Sequence, residues 1–334
     1  MLYNAGIFVG GLVLVSLAGL VLSTSLERIG VRFGFTQALL GIVTALGADS
    51  PEISSAITAL HGGNAVLGVG VVFGSNLFNI ASLLGLSAVT AGFVRIAPKA
   101  AIFNGTVSLC LTVGAALIVL SVAPAWVGAA LLAFVFVPYV VLCALGSDRL
   151  GLLAPLPPVQ AFLRDALSEQ HADEPSDRGS TKAATTFDML AAVPALVTIV
   201  VGSVGMVQGG QALGKHFGIS DVIIGTIVLA ALTGVPNAIA AIRLAHKQQG
   251  AAVISEAFNS NTLNIAVGIF LPALVVGLGA SQAAARLSIY WLIALTAAAV
   301  ILALRKCGLR RNEGFALIAA YAAFVALLVI FSAG

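Results

Sequence analysis

Residues Gly41–Ile80 read GIVTALGADSPEISSAITALHGGNAVLGVGVVFGSNLFNI, which is apolar enough for a lipid bilayer but carries Asp49 and Glu52 near its middle. A carboxylate at bilayer depth is costly unless something binds it, so a functional role is the default interpretation. Pro51 has no N–H to donate to the carbonyl of Gly47, and we expect the helix to break there and free that oxygen. Acidic oxygens beside a free carbonyl predict a cation site.

The whole chain has the composition of a polytopic membrane protein. Of its 334 residues, 60% are hydrophobic and 9% charged, and the mean hydropathy is +1.09. Its scattered basic residues do not form the stripe that nucleic-acid binding requires. The apolar residues fall into ten runs, each with roughly the 20 residues needed to cross a hydrocarbon core. These runs are 4–24, 36–60, 65–91, 100–121, 124–146, 188–210, 220–245, 249–278, 284–304 and 314–333.

The basic residues predict the orientation of these ten segments. If both termini lie outside, fourteen of the sixteen Lys and Arg residues fall in inner loops, as the positive-inside rule requires. The inner set is Arg28, Arg32, Arg95, Lys99, Arg149, Arg164, Arg178, Lys182, Arg243, Lys247, Arg305, Lys306, Arg310 and Arg311; Lys215 and Arg286 lie outside. We expect a multi-pass protein of the cell (inner) membrane.

One long polar stretch, residues 147–187, separates the fifth and sixth segments and is predicted to be a cytoplasmic linker. About 40 residues bury too little core for a regulatory domain. Apolar residues recur within it at helical spacing, so a short amphipathic helix is expected on the inner membrane surface. They are Val159, Phe162, Leu163, Ala166 and Leu167.

The second half of the chain repeats the first. A shift of 185 positions places Gly41–Ile80 on Thr226–Ile265, so that Pro51 meets Pro236 and Asn79 meets Asn264. This divides the chain into residues 1–146, the linker 147–187, and residues 188–334. Five segments is an odd number, so the two halves enter the membrane in opposite directions. Inverted repeats with a binding site at the midplane are typical of secondary transporters.

The repeated motifs resemble those of a known family. Pro51-Glu52 followed by GSNLFN at 74–79 resembles the first α-repeat of the cation/calcium exchanger superfamily, the sodium/calcium exchangers and their relatives. Residues 233–237 (TGVPN) and 259–264 (NSNTLN) resemble the second repeat. The resemblance implies an all-α membrane protein of ten transmembrane helices in two inverted five-helix repeats, with broken helices 2 and 7 at the centre.

The resemblance also implies a cation site shared by the two repeats. Its ligands are Glu52, Ser75 and Asn79 from the first repeat and Thr233, Asn237, Ser260 and Asn264 from the second. Helical spacing supports the set, because Ser75 and Asn79 are four residues apart, as are Ser260 and Asn264. The carbonyls of Gly47 and Leu232, each four residues before a proline, are expected to add backbone oxygens.

Several positions depart from the family pattern. Asn237 stands where many relatives keep a second acid, Asn264 is also neutral, and Asp49 stands where the family usually has Ser. Glu256 is an extra acid one turn before Ser260, a possible accessory ligand. If Asp49 joins Glu52 at the ion, two negative charges suit Ca²⁺. If Asp49 is turned away, one carboxylate and several amides suit Na⁺ or Li⁺ better.

The expected function is secondary active antiport, Na⁺/Ca²⁺ or H⁺/Ca²⁺ exchange by alternating access at a midplane site. The resemblance further implies that the first and sixth segments slide against the rest. A monovalent cation/proton antiporter using the same site, or an ion channel, is the alternative. We expect the lipid bilayer and inorganic cations as partners, no cofactor and no obligate protein partner. No enzyme is expected, because the scattered Ser and His residues form no catalytic constellation and GGQALGK at 209–215 is followed by His216 in place of Ser or Thr.

Overall fold

The computed structural model describes residues 1–147, 157–169, 184–275, 277–278, 283–306 and 308–333. Most of the predicted linker, with Arg149, Arg178 and Lys182, lies outside the described residues. The helices are α1 Leu2–Arg32, α2 Gln37–His61, α3 Ala65–Ala91, α4 Pro98–Val119, α5 Trp126–Leu145, α6 Pro157–Glu169, α7 Thr186–Phe217, α8 Asp221–His246, α9 Gly250–Val275, α10 Ala283–Lys306 and α11 Arg311–Ala333.

The prediction of an all-α membrane protein is confirmed in its main feature. Nine of the described helices are long and apolar enough to cross a membrane. Helix α2 has 25 residues, which is long enough to cross a membrane. Asp49, Ser50 and Glu52 make it more polar than those nine helices. The number of ten transmembrane helices therefore stays a prediction.

Two short strands were not expected from the sequence. The strands β1 (Phe93–Arg95) and β2 (Gly308–Arg310) pair antiparallel, with Val94 opposite Leu309. They join the loop after α3 to the loop after α10. The two loops therefore lie on the same side of the bundle, and the charge distribution assigned both to the inner side.

The expected break of helix 2 at Pro51 is wrong, since α2 continues through the proline without interruption. Pro51 has no N–H to donate to the Gly47 carbonyl, and this carbonyl accepts a hydrogen bond from the Ser50 hydroxyl at 2.6 Å instead. A polar side chain thus replaces the missing backbone donor, as happens in membrane helices. Helix α8 likewise continues through Pro236, so the break of helix 7 is also wrong.

Turns of π-helix lie next to the predicted site instead. They span Ile80–Leu86 in α3, Ile224–Leu229 in α8 and Ala266–Phe270 in α9, with another at Leu132–Phe136 in α5. The first begins directly after Asn79, and the third begins two residues after Asn264. Such turns are rare and occur often at functional sites.

Helices α1 and α7 pack closely along one another. A Cβ added to Gly11 would lie 2.6 Å from the carbonyl oxygen of Gly202, so the backbones meet where neither helix carries a side chain. At one end, the Arg28 guanidinium contacts the Asp188 carboxylate at 2.6 Å. Asp188 also forms a capping box with Thr185 at the start of α7. These contacts join the two helices into one unit.

Helix α6 lies where a short amphipathic helix was expected, but protein covers most of its apolar face. Its apolar residues Leu163, Ala166 and Leu167 are buried in a cluster that contains residues of α2, α4 and α5. A carboxylate oxygen of Glu169 accepts from the backbone N–H of Lys99 at 2.7 Å, and the Lys99 ammonium pairs with Asp165. Most of the apolar face of α6 therefore packs on the helix bundle, whereas Val159 is exposed.

Candidate functional site

Asp49 is fully buried and is held by the second half of the chain. Its Oδ1 accepts hydrogen bonds from the Asn237 amide at 2.8 Å and from the Ser260 hydroxyl at 2.9 Å. These donors come from α8 and α9, whereas Asp49 lies on α2. The structure thus brings Asp49 to two predicted site residues that lie 188 and 211 positions further along the chain.

Glu52 lies one turn along the same helix and has a partner of the same kind. The Asn264 amide of α9 donates to Glu52 Oε2 at 2.9 Å and to Asn76 Oδ1 at 3.1 Å. Glu52, Asn264 and Asn76 are all buried. Both carboxylates of α2 are therefore oriented by amides of the second repeat.

A reciprocal pair of amides joins the two repeats beside these carboxylates. Asn76 Nδ2 donates to the Asn261 carbonyl at 3.1 Å, and Asn261 Nδ2 donates to the Asn76 carbonyl at 3.3 Å. The two asparagines are 185 positions apart, the shift that relates the repeats. An exchange of identical bonds between equivalent residues is the pattern of a twofold contact.

Of the other predicted ligands, three side chains are buried. Ser75 and Asn79 are fully buried on α3, and Thr233 is buried on α8. The Thr233 hydroxyl donates to the Leu229 carbonyl of its own helix at 2.8 Å, which leaves its oxygen lone pairs open. Leu232, whose carbonyl was predicted as a ligand, has a half-buried side chain next to Thr233.

Gly47 lies against α1. A Cβ at this position would be 2.6 Å from the Cα of Ser23, and the Gly47 carbonyl already accepts from Ser50. That oxygen is therefore not the free ligand that the sequence suggested.

Five carboxylate or amide oxygens of the buried cluster have no hydrogen-bond donor among the described residues. They are Asp49 Oδ2, Glu52 Oε1, Asn79 Oδ1, Asn261 Oδ1 and Asn264 Oδ1. Buried polar atoms are nearly always paired, so each such atom calls for an explanation. Carboxylate and amide oxygens are the ligands that Ca²⁺ and other hard cations prefer. The cluster can hold a cation with these atoms.

The donor set is poor in acids. No group of three or more His, Cys, Asp or Glu side chains suited to a metal occurs in the part of the chain that the structure describes. A cation at this place would have two carboxylates, with neutral amide and hydroxyl oxygens completing its shell.

A cavity of about 400 Å³ leads to the cluster between α1, α2, α8 and α9. The buried Thr233 and Asn237 line it, and so do the exposed Arg243 and Lys247. Glu256, the predicted accessory ligand, also lines the cavity. The cavity thus connects buried site residues with the side of the bundle on which Arg243 and Lys247 lie.

Sequence reasoning missed several residues that hold the site. The match of Asn76 to Asn261 under the repeat shift was the signal for the reciprocal pair. A second network had no signal in the sequence. In it, the buried Tyr139 hydroxyl donates its one proton to Asn259 Oδ1 at 2.5 Å and lies 3.1 Å from Asn104 Oδ1. It joins α4, α5 and α9. Asn259 begins the second repeated motif, whereas Asn104 and Tyr139 lie outside the repeated motifs.

Comparisons with known proteins agree with this architecture. The sequence model of the family described as "Sodium/calcium exchanger protein" matches residues 3–145 and 188–330. Inner membrane protein YrbG of Escherichia coli is 26% identical over 293 residues, which cover 82% of this chain and 81% of that protein. The putative antiporter CaxA of Alkalimonas amylolytica is 25% identical over 306 residues, covering 90% and 91%.

Two solved structures share the fold. The sodium-calcium exchanger NCX_Mj aligns with a TM-score of 0.63 at 21% identity, over 97% of this chain and 98% of that one. The H⁺/Ca²⁺ exchanger CAX aligns with a TM-score of 0.69 at 16% identity, over 98% and 86%. The family match covers well over half of the sequence and falls on both repeats. The chain therefore belongs to the sodium/calcium exchanger protein family.

Proposed function

We propose that this protein is a secondary active antiporter that exchanges Ca²⁺ for Na⁺ or H⁺. The observation that carries this proposal is the pair of buried carboxylates, Asp49 and Glu52, each oriented through one oxygen and open at the other. A buried acid without a cationic partner is destabilising, and a bound cation removes that cost. Two of the solved relatives are named for sodium-calcium and H⁺/Ca²⁺ exchange.

The proposed ion contacts are the open oxygens of the cluster. Asp49 and Glu52 supply charge, Asn79 and Asn264 supply amide oxygens, and the Thr233 hydroxyl adds a neutral oxygen on the cavity side. Ser75, Asn237 and Ser260 complete or orient this shell. Ca²⁺ takes six to eight oxygens at about 2.3–2.6 Å. The Gly47 carbonyl is left out because Ser50 donates to it.

The proposed transport cycle uses the two halves as inverted repeats, residues 1–146 and 188–334, with 147–187 as a cytoplasmic linker. Helices α1 and α7, joined by Arg28 and Asp188, slide as one unit and expose the site to one side at a time. The cavity opens at Arg243 and Lys247, which the charge distribution assigns to the inside. Both termini then lie outside the cell (inner) membrane.

Flux into proteoliposomes tests the proposal. An outward Na⁺ gradient, or an outward proton gradient, is expected to drive ⁴⁵Ca²⁺ uptake by the purified protein. Glu52→Gln is expected to abolish this uptake while the protein keeps its elution volume in size-exclusion chromatography. Normal uptake by Glu52→Gln would disprove the site assignment.

A monovalent cation/proton antiporter is the second candidate. It is favoured by the neutral Asn237 and Asn264, which leave the second repeat without an acid in the cluster. In that case the same vesicles would show a Na⁺-driven change of internal pH and no Ca²⁺ uptake. A Ca²⁺ conductance that persists without any counter-ion gradient would point to a channel.

A further inference from the structure

The antiparallel ribbon of β1 and β2 lies close to the ends of membrane-length helices. Strand β1 begins two residues after α3 ends, and β2 ends directly before α11 begins. On α11, the exposed apolar side chain of Phe315 follows Arg311 by four residues. That is about one helical turn, or roughly 6 Å along the axis. The ribbon therefore lies at the depth where the apolar surface of the bundle ends, which is the depth of lipid headgroups.

The two faces of this ribbon differ in burial. Val94 and Leu309 lie opposite each other and are buried in the main core cluster. Because side chains alternate between the faces of a strand, Phe93, Arg95 and Arg310 share the other face, and all three are exposed. Arg310 pairs directly with Phe93, and Arg95 is the diagonal neighbour of Arg310 across the ribbon. The exposed face thus places an aromatic side chain beside two guanidinium groups.

Arg311 extends this face from a fixed position. Its backbone N–H donates to the Gly92 carbonyl at 3.0 Å, which adds one more bond between the two loops. Its side-chain Nε donates to the Val89 carbonyl at 3.0 Å, a bond that does not occupy the two terminal nitrogens of the guanidinium. A guanidinium can donate two parallel hydrogen bonds to a phosphate group. We call this surface the arginine face; it consists of Phe93, Arg95, Arg310 and Arg311.

The arginine face is positively charged. The ion pairs seen among the described residues lie at Asp188 and Asp165, and neither includes one of its three arginines. Glu313 is the acid nearest to it in the sequence. A carboxylate oxygen of Glu313 accepts from the backbone N–H of Arg310 at 2.8 Å, so this group is directed at the main chain where α11 begins. Three arginines against one acid leave an excess of positive charge, which suits an anionic partner.

We propose that the arginine face binds the headgroup phosphate of an anionic phospholipid, with phosphatidylglycerol as the simplest example. Arg95 and Arg310 attract the headgroup, and the terminal nitrogens of Arg311 bind phosphate oxygens. Phe93 packs against the glycerol and the upper acyl chains, as aromatic side chains do at membrane interfaces. A free phosphate ion would meet the same charges but leave Phe93 in water, so the aromatic side chain favours a lipid as the source of the phosphate.

The ribbon connects this surface to a helix of the buried cluster. A Cβ added to Gly250, the first residue of α9, would lie 1.8 Å from the Arg95 carbonyl oxygen. The start of α9 therefore packs directly on the main chain of β1. Because Ser260 and Asn264 lie on the same helix, a lipid that holds the ribbon also supports the helix that carries them. Lipid binding is thus expected to stabilise the fold, whichever ions the protein exchanges.

The test is lipid binding by the purified full chain after its lipids have been removed in a neutral detergent. Thermal unfolding is followed while phosphatidylglycerol, phosphatidylcholine or inorganic phosphate is added, and bound lipid is counted by native mass spectrometry. We expect phosphatidylglycerol to stay bound and to raise the unfolding temperature until the site is saturated, whereas the other two do neither. Equal effects of the two lipids would overturn the proposal, because binding would then not depend on charge. An equal effect of inorganic phosphate would overturn it too, because the face would then bind a free anion.

A pair of variants tests whether the arginine face is the site. Arg95→Gln combined with Arg310→Gln is expected to weaken phosphatidylglycerol binding about 30-fold, and Arg95→Gln alone about fivefold. Arg286→Gln combined with Lys215→Gln is the matched control. It removes two exposed positive charges near the start of α10 and the end of α7, at the other end of the bundle, and should bind the lipid as the wild type does. Unchanged binding by the first double variant, or an equal loss in the control, overturns the assignment. If that double variant does not fold, Arg95→Gln alone decides by the same comparison.

Discussion

Asn79 of the first repeat and Asn264 of the second occupy equivalent positions, but their surroundings differ. The Asn264 amide donates to Glu52 and to Asn76. Neither side-chain atom of Asn79 has a hydrogen-bond partner among the described residues, and the Oδ1 of Asn261, the repeat equivalent of Asn76, has none either. The same residue type in the same motif is thus fixed in one repeat and open in the other.

The difference follows from a single position after the proline. Glu52 follows Pro51, whereas Asn237 follows Pro236. The acid gives Asn264 an acceptor, but Asn237 bonds to Asp49 and gives Asn79 none. One repeat therefore carries the charge, and the other supplies the donors that orient it. Asn79 is left as a ready amide ligand.

The largest expected effect on Ca²⁺ affinity comes from neutralising one of the two carboxylates that the first repeat carries. Asp49→Asn makes this position neutral, and the cost of removing one partner of a buried ionic contact is about 3 kcal/mol or more. We therefore expect the apparent Ca²⁺ affinity to fall at least about 100-fold. The measurement is ⁴⁵Ca²⁺ uptake against Ca²⁺ concentration at a fixed Na⁺ gradient.

A charge swap provides the control for this prediction. Asp49→Asn combined with Asn237→Asp keeps two carboxylates in the cluster and moves one to the second repeat. The double variant is expected to recover part of the lost affinity. A fall of less than about threefold in the single variant would mean that Asp49 has a structural role, such as orienting Asn237 and Ser260, and does not contact the ion.

The two repeats were readable from the sequence, whereas their asymmetry was not. Matched prolines and asparagines at a constant shift predicted which helices meet, because the same motif builds the same helix pair twice. The identity of residue 52 and residue 237 was visible. The direction in which each amide turns depends on acceptors on other helices, and periodicity carries no information about these.

Local rules failed where a tertiary neighbour or a nearby side chain intervened. Pro51 predicted a broken helix, but the Ser50 hydroxyl supplies the missing donor to Gly47. The amphipathic pattern of α6 predicted a membrane surface, but its apolar residues Leu163 and Leu167 are buried on the bundle. An apolar face predicts burial and does not identify what covers it.

A smaller effect on Ca²⁺ affinity is expected when Asn76 and Asn261, the two members of the reciprocal pair, are mutated one at a time. Asn76→Ala removes a bond to Asn261 and also the acceptor that helps to fix Asn264, so we expect the Ca²⁺ affinity to fall roughly fivefold to tenfold. Asn261→Ala removes the bond that the Asn261 amide donates to the Asn76 carbonyl, keeps the Asn261 carbonyl as an acceptor, and does not touch Asn264. It is expected to lower thermal stability with less than about a threefold change in affinity.

A double-mutant cycle between Asn76→Ala and Asn264→Ala measures this coupling directly. Neighbours in one hydrogen-bond network couple by about 0.5–3 kcal/mol, and we expect the affinity changes of the two variants to be less than additive. Additive changes, or an equal loss of affinity in Asn76→Ala and Asn261→Ala, would contradict the asymmetry between the repeats.

The smallest effect should be on the stability of the ion-free protein. Asn79→Ala removes a buried amide that has no hydrogen-bond partner in the described structure, so the desolvation cost of that amide offsets the cavity that remains. We expect a stability change within about 1 kcal/mol, measured by thermal unfolding in detergent with a chelator present. Asn264→Ala leaves the buried Glu52 without its donor and should cost about 1.5–3 kcal/mol of stability.

Added Ca²⁺ stabilises only a protein that binds it, so Asn79→Ala should lose much of the Ca²⁺-dependent stabilisation that the wild type gains. Equal unfolding temperatures for the two variants without Ca²⁺ would show that Asn79 is held as firmly as Asn264 and is not an open ligand.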